Sequence, residues 1–549
     1  MKRYIKYGVF CLSSVVFAGC NDWLREDSPM LINVGDFFIA SEAAIQSVNA
    51  AYAPLMWEYN STYFSEWFIG DIASDDALKG GQNISDMADA YDIENFKTID
   101  NNGLLLDYYR AKYQGIGRAN LAIEQISAME VDGDDMTQDL KDRLIGEAKF
   151  LRAYYYFSLV RVFGGVPKVE APIYSSDGWI QPRASIDEIF GLIVSDLKDA
   201  ESGLVNKSRY DAADLGRATK GAAQAMLAKV YMYWGDYTAS GFAGAQATVD
   251  CYGEARTWAE KFLNEQAGEY SLCSKYGDNF TLEGENGPES IFEIQYTDEP
   301  TSDYGEGNGF TRGTFTTIMI RSRSTQSENS GWGFNKPTDN LVAEFEANDP
   351  RLSEAVRVPK DSEMSNLAEE IYLGCRNLAV KRTLTVNGSY EELSHDSRSP
   401  LNNVVFRLSD FYLMYAELCL KAGDTPAAKT YLEMVRARAR GTKDILPEFP
   451  GYSVPDYRNG YAMRQLSDTP EDLELAVRHE RRVELAMEGH RWFDIVRWGV
   501  AKEIMDAYKA QETLEAQAEM SVFVKGKHEL FPIPHEELLL GGLSQNSGY

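Results

Sequence analysis

Basic residues are in short supply. Lys and Arg number 54 against 84 Asp and Glu, a formal charge of −30 over 549 residues. Phosphate backbones need a basic face, so nucleic acid is excluded as a partner. Histidine is scarcer still: the five residues all lie in the C-terminal third, without metal-ligand spacing. Beyond the N-terminal segment the cysteines are Cys251, Cys273, Cys375 and Cys419, with no C-x-x-C among them. That removes zinc and dithiol redox chemistry. Cys251 and Cys273 remain open to pairing outside the cytoplasm, but four cysteines in so long a chain make no disulfide framework. HExxH, Walker and GxSxG motifs are all missing, and with them metalloprotease, P-loop and α/β-hydrolase chemistry. The 84 acidic residues guarantee chance carboxylate pairs, so glycoside hydrolysis is not excluded on sequence alone.

The one long apolar run is short. In MKRYIKYGVFCLSSVVFAGC, Lys2, Arg3 and Lys6 precede an apolar stretch from Tyr7 to Ala18, below the roughly 20 residues a spanning helix needs. A basic start, a short apolar middle and small residues at the end define a signal peptide over residues 1–19. Ala18-Gly19-Cys20 resembles a bacterial lipobox, with Phe17 where the pattern prefers Leu. Cys20 is therefore expected to carry lipid. Each buried methylene contributes about 0.8 kcal/mol, enough for a multiply acylated Cys20 to hold a soluble body on a membrane. Asp22, Glu26 and Asp27 resemble the signals that send some Gram-negative lipoproteins to the outer surface.

What the chain has in abundance is helical pattern and aromatic rings, with 32 Tyr, 25 Phe and 9 Trp. SIDEIFGLIVSDL opens on a capping box, Ser185 with Glu188, and Ile186, Ile189, Phe190, Ile193 and Leu197 then share one face. Leu140, Leu144, Leu151 and Tyr155 stripe a second helix that runs into the stop signal Gly164-Gly165 and Pro167. MLAKVYMYWGDY from Met226 and MYAELCLKAGDT from Met414 form a weak repeat. Each Gly-Asp reads as a tight turn to a following helix with small residues a turn apart, the pattern of a tetratricopeptide hairpin. Helical stripes fade over residues 60–101 and 270–400, where Gly, Ser, Asn and Thr rise. Within the second region ESIFEIQY reads as a short strand, and the Asn-Gly of TLTVNGSY as a hairpin turn.

ERRVELAMEGHRWFDIVRWG, from Glu480 to Gly499, carries the residue types of an active site. Yet Glu480, Glu484 and Glu488 recur every four residues, Arg481 lies three from Glu484, and Arg491, Asp494 and Arg497 repeat at three. Such spacing predicts ion pairs along a helix–turn–helix, with Gly489 at the stop and Trp492, Ile495 and Val496 in the core. The segment reads as structural, since ion-pair networks imitate active sites.

This segment, LRAYYYFSLVRVFGGVP, ATKGAAQAMLAKVYMYWGDY, RLSDFYLMYAELCLKAGD and LFPIPHEELLLGGLSQNSGY together resemble the SusD/RagB family of outer-membrane nutrient-binding lipoproteins. They occur in the family's order and span nearly the whole chain. The resemblance implies one mainly α-helical domain over residues 20–549, built from four tetratricopeptide-like pairs with loop-rich and short-strand insertions. It also implies a cell-surface, outer-membrane location, a glycan ligand (a peptide in some members), a SusC-like TonB-dependent transporter as partner, and no reaction. A tetratricopeptide scaffold that binds only proteins is the rival. No cofactor is expected beyond the lipid at Cys20, and a structural calcium ion is left open.

A sugar offers flat C–H faces and a fringe of hydroxyls, which call for aromatic rings and polar side chains on loops. The first loop region offers Asp75, Asp76 and Tyr91, with the reservation that Asp75-Asp76 equally suits a turn or an ion. The second offers Tyr296, Tyr304, Phe310, Trp332 and Phe334.

Overall fold

Local signals set the helices. Ser185 accepts the Glu188 N–H and the Glu188 carboxylate accepts the Ser185 N–H, so the capping box closes as its spacing predicts. Asn102, Thr137, Thr219, Asp424 and Thr469 cap further helices through their side chains. The structure, a computed structural model, describes residues 38–549 apart from 58–65, 298–312, 324–329, 364–369, 387–388, 391–392, 394–397 and 444. Cys20 and the segment before it lie outside the described residues, as do Tyr304 and Phe310.

Eighteen α-helices occur among the described residues. They begin with α1 (Ser41–Tyr52), α2 (Glu66–Ile72), α3 (Ala88–Glu94), α4 (Gly103–Ala128), α5 (Gln138–Phe163) and α6 (Ile186–Gly203). Then come α7 (Lys220–Ser240), α8 (Cys251–Glu265), α9 (Thr316–Ile320), α10 (Asp339–Glu344), α11 (Pro350–Ala355) and α12 (Leu408–Lys421). The last are α13 (Thr425–Arg440), α14 (Pro470–Glu484), α15 (Arg491–Arg497), α16 (Ala501–Lys509), α17 (Leu514–Glu519) and α18 (His535–Gly541). Helices α4 to α8 pack in succession, each on the one before it. The hairpin α12–α13 adds to α7 and α8, and α14 lies across both of its arms. Leu144, Leu151, Tyr155, Ile189, Phe190 and Leu197 are fully buried along these contacts, as their stripes predict. The frame is tetratricopeptide-like.

The two copies of the weak repeat differ at their glycines. Gly423 (φ +75°) turns the chain and Asp424 caps α13, accepting the Ala427 N–H at 3.2 Å. Gly235-Asp236, expected to be a turn, lies inside α7, which runs on to Ser240 and stops at Gly241 (φ +64°). A Cβ at Gly235 would come 2.8 Å from the Tyr252 ring on α8. The glycine there serves close helix approach, and not reversal.

Among the described residues ten short strands make five antiparallel ribbons. They are β1 (Ala77–Gly80) with β3 (Phe334–Pro337), β2 (Ser290–Ile294) with β8 (Asn403–Arg407), and β4 (Val356–Arg357) with β5 (Leu378–Ala379). The others are β6 (Thr385–Val386) with β7 (Ser389–Tyr390) and β9 (Ser453–Asp456) with β10 (Ala462–Gln465). ESIFEIQY and TLTVNGSY thus form the strand and the hairpin read from their sequences. Cys251, Cys273, Cys375 and Cys419 are all buried and free, so the open Cys251–Cys273 pairing is not made.

Candidate ligand-binding face

The charged signature is structural, but its pairs are not the local ones its spacing suggested. Helix α14 ends at Glu484, five residues before Gly489, and Glu480, Arg481, Arg482 and Glu484 are all buried. Glu480 takes Arg436 at 2.8 Å, while Glu484 meets Arg351 at 3.0 Å together with Arg407 and Arg438. Glu488 pairs with Arg407 at 2.7 Å and Lys381 at 2.8 Å. Arg481 reaches Asp410 at 2.8 Å and Asp494 at 3.0 Å; only Asp494–Arg497, at 2.9 Å, is a pair that its i, i+3 spacing predicted. Ions this deep are tolerated only when matched and hydrogen-bonded, so the signature ties α10–α15 into one body. Trp492, Ile495 and Val496 fill the core beside it, as expected.

The same network reaches the first loop region. Arg482 contacts Asp76 at 2.8 Å, Asp75 at 2.9 Å and Glu344 at 2.9 Å, and Arg491 holds Asp75 at 2.7 Å. Tyr461 donates to Asp75 at 3.0 Å. Burial pushes the Asp75 carboxyl up, but the Arg482 and Arg491 guanidiniums outweigh it and hold it well below the usual range. Asp76, buried beside Asp75 and closely matched by Arg482 alone, is raised. Asp71 accepts the Gly489 N–H and the Asn335 amide, each at 2.9 Å, and burial raises its carboxyl to about 7. Asp75 and Asp76 were expected to meet ligand. Both are buried, at 0% and 1% exposure, Asp75 held by the Arg482 and Arg491 guanidiniums and Asp76 by that of Arg482, so they position the loop and do not face solvent.

What they position is the β1–β3 ribbon. Thr338 donates its hydroxyl to the Asp75 carbonyl at 2.7 Å and its N–H to the Asp76 carbonyl at 2.9 Å. Gly80 stands opposite Phe334, and the Gly81 N–H donates to the Gly333 carbonyl at 2.9 Å. Beyond this pairing the two chains continue as Trp332 on one side and the exposed polar loop Gln82–Ser85 on the other. That loop is shaped from within: the Lys79 ammonium donates to the Asn83 carbonyl at 2.9 Å and to Asp86, and the Asp86 carboxylate accepts the Gln82 N–H at 2.9 Å. Trp332 is half-buried, its ring centroid 6.2 Å from that of Phe315, and its carbonyl accepts from Arg323 at 3.3 Å. The edge of this ribbon thus carries the half-buried Trp332, Arg323 on its carbonyl, and the exposed Gln82–Ser85 loop.

The other expected aromatics fare differently. Phe334 is buried under the loop, with the Lys79 ammonium 5.6 Å from its ring centre. Tyr296 is buried just past β2, its N–H bonded to Asn402 at 2.9 Å. Neither presents a ring face to solvent. Tyr91 is half-buried, its hydroxyl donating to Glu519 and accepting from Lys97 at 2.6 Å. The sequence reading missed Gln82, Asn83, Arg323, and Arg482 as the loop's anchor. An amide-rich stretch beside Gly80-Gly81 was the available signal for the first two. Among the described residues no group of three or more His, Cys, Asp or Glu is arranged to hold a metal, and no helix is long and apolar enough to cross a membrane.

The tetratricopeptide-like frame is the fold of SusD-like proteins. The chain belongs to the SusD/RagB family. The SusD family model matches residues 381–549, and a second, described as starch-binding associating with outer membrane, matches residues 22–232. SusD-like protein P38 of Formosa agariphila is 27% identical over 522 residues, 90% of this chain and 91% of that one. Among solved structures, a laminarin binding SusD-like protein is 26% identical with a TM-score of 0.70, covering 92% of this chain and 99% of its own. Surface glycan-binding protein A from Bacteroides thetaiotaomicron, in complex with laminarihexaose, has a TM-score of 0.71 over the same shares; at 22% identity it establishes the fold alone.

Proposed function

We propose that this protein is a cell-surface lipoprotein that captures an oligosaccharide on the Trp332 face and passes it to a SusC-like TonB-dependent transporter. The observation that carries the reading is the near full-length, 26% identical match to a protein named for laminarin binding. The chemistry supports it. A partly exposed indole covers the C–H face of a pyranose, and Gln82, Asn83 and Arg323 supply hydrogen-bond partners for hydroxyls. Lipid on Cys20 supplies the tether at the outer membrane. Binding without cleavage is favoured because the carboxylates behind the face, Asp75 and Asp76, are closed off by Arg482 and Arg491 and cannot act as an acid and nucleophile.

Calorimetric titration of a hexasaccharide panel into the protein lacking residues 1–20 tests the reading. At least one glycan is expected to bind, and Trp332→Ala is expected to weaken it about tenfold, or about 1.4 kcal/mol, while the protein still melts cooperatively. Failure of every glycan alongside binding of a peptide mixture would replace the ligand class. Transporter co-purification with no small ligand would point to a scaffold, and new reducing ends at enzymatic rates to a glycosidase.

A further inference from the structure

A ligand-sized groove lies on elements that share nothing with the Trp332 face. Its floor is α4, where Tyr109 and Tyr113, one turn apart, bring their ring centroids within 4.7 Å. One wall is the α5–α6 connection, which crosses α4 and is pinned to it: the Tyr113 hydroxyl donates to the Pro167 carbonyl at 2.6 Å, and the Asn120 amide to the Val169 carbonyl at 3.0 Å. The other wall is α18 with Leu543, tied back through Arg183 to the Ser544 carbonyl at 2.8 Å. The volume of this open groove is about 660 Å³, within the range of small-molecule sites.

The lining is of two kinds. Trp179 stands 74% exposed after the turn Ser176–Gly178, and with the half-buried Tyr113 it offers flat rings to the groove. Around them are Arg110, Gln114, Gln181 and Glu537. The Gln114 side chain is exposed and makes no hydrogen bond among the described residues. Gln181 uses only its NH2, donating to the Gly178 carbonyl at 2.8 Å, which leaves its amide oxygen as an acceptor. Trp179 is exposed along with Ile173, Tyr174 and Ile180 of the same segment, and several large apolar side chains left in water on one segment mark an interaction site more than a single one does. Rings beside amides, a guanidinium and a carboxylate are the complement of a sugar ring, which has apolar faces and a polar edge all round.

We infer that this groove is a second carbohydrate-binding site, with Trp179 and Tyr113 as platforms and Gln114, Gln181, Arg110 and Glu537 as hydroxyl partners. The inference rests on the glycan-binding reading above but not on the Trp332 face. A glycan long enough to reach both sites would bind more tightly than either site alone allows.

The test titrates laminarihexaose, maltohexaose and cellohexaose into the full chain in detergent, then into Trp179→Ala, Trp332→Ala and the double variant. Trp179 is largely exposed, so Trp179→Ala should melt with wild type. The expected result is two binding phases for wild type, one of them weakened about tenfold or lost in Trp179→Ala, and both in the double variant. A double variant that binds as Trp332→Ala alone overturns the groove and leaves the glycan-binding reading standing. A wild-type protein that binds none of the hexaoses overturns both. The exposed Ile180, Leu539 and Leu540 give a third outcome: an unchanged isotherm with loss of transporter co-purification in Trp179→Ala, which would make the groove a protein-docking face and overturn the sugar assignment.

Discussion

Replacing Arg482 with Met should loosen the joint between the helical signature and the ligand-binding face. The guanidinium lies within 3 Å of three carboxylates, Asp75, Asp76 and Glu344, and also donates to the Asn340 side chain at 2.8 Å. Asp75 retains Arg491 at 2.7 Å, and Glu344 retains His479 at 2.8 Å. Asp76 keeps only a distant contact with Arg491 at 4.0 Å. Stranding a buried charge costs about 3–5 kcal/mol. The unfolding entropy of a chain this long is about 1.1 kcal/mol/K, so the loss is a fall of about 3–5 °C in melting temperature by scanning calorimetry. The deficit should narrow toward pH 4. In wild type Glu344 is held below the usual carboxylate range, against its burial, chiefly by Arg482. Its contribution is therefore present at neutral pH and fades as pH falls. In the variant the stranded carboxylates take up protons instead. Adding Asp76→Asn should recover much of the loss. A melting temperature within about 1 °C of wild type would refute the reasoning, as would a deficit that widens in acid.

Other outcomes follow from the same packing. His479 is buried, which lowers its pKa, but the Glu344 carboxylate accepting from Nδ1 at 2.8 Å and the Glu346 carboxylate 3.5 Å from Nε2 outweigh burial and raise it to about 9. Its contribution, about 3 kcal/mol, is complete below its unfolded value near 6.5 and is lost as pH rises through about 9. His479→Gln should therefore destabilise the protein at pH 6 and scarcely at pH 10, read as melting temperature against pH. A Cβ at Gly70 would overlap the Gly489 carbonyl, whereas one at Gly117 on α4 meets open space. Gly70→Ala should cost about 1–3 kcal/mol or more and weaken glycan binding at the Trp332 face. Gly117→Ala should add about 1 kcal/mol and leave binding unchanged. Denaturant titration of the pair checks both signs.

Much of the frame was legible because it rests on short-range physics. The Ser185–Glu188 box, the Leu144–Leu151–Tyr155 stripe and the Asn-Gly hairpin each involve residues within a few turns of one another. The charge network was misread for the opposite reason. Equal spacing of Glu480, Glu484 and Glu488 suggested partners on the same helix, but those partners are Arg351, Lys381, Arg407, Arg436 and Arg438, more than forty residues away in sequence. Asp75 and Asp76 looked solvent-facing in a Gly- and Ser-rich stretch. No local feature tells a carboxylate that hydrates from one that meets two guanidiniums four hundred residues on.

By itself, then, the order of residues determined where capped helices begin, which faces are apolar and that the surface is acidic, since those depend on backbone geometry and side-chain polarity over a few residues. Tertiary structure alone decided which rings reach water. Trp179 and Trp332 do so wholly or in part, while Phe334 and Tyr296 are covered. Exposure of a ring is set by what other segments lay over it, and that information is spread along the entire chain.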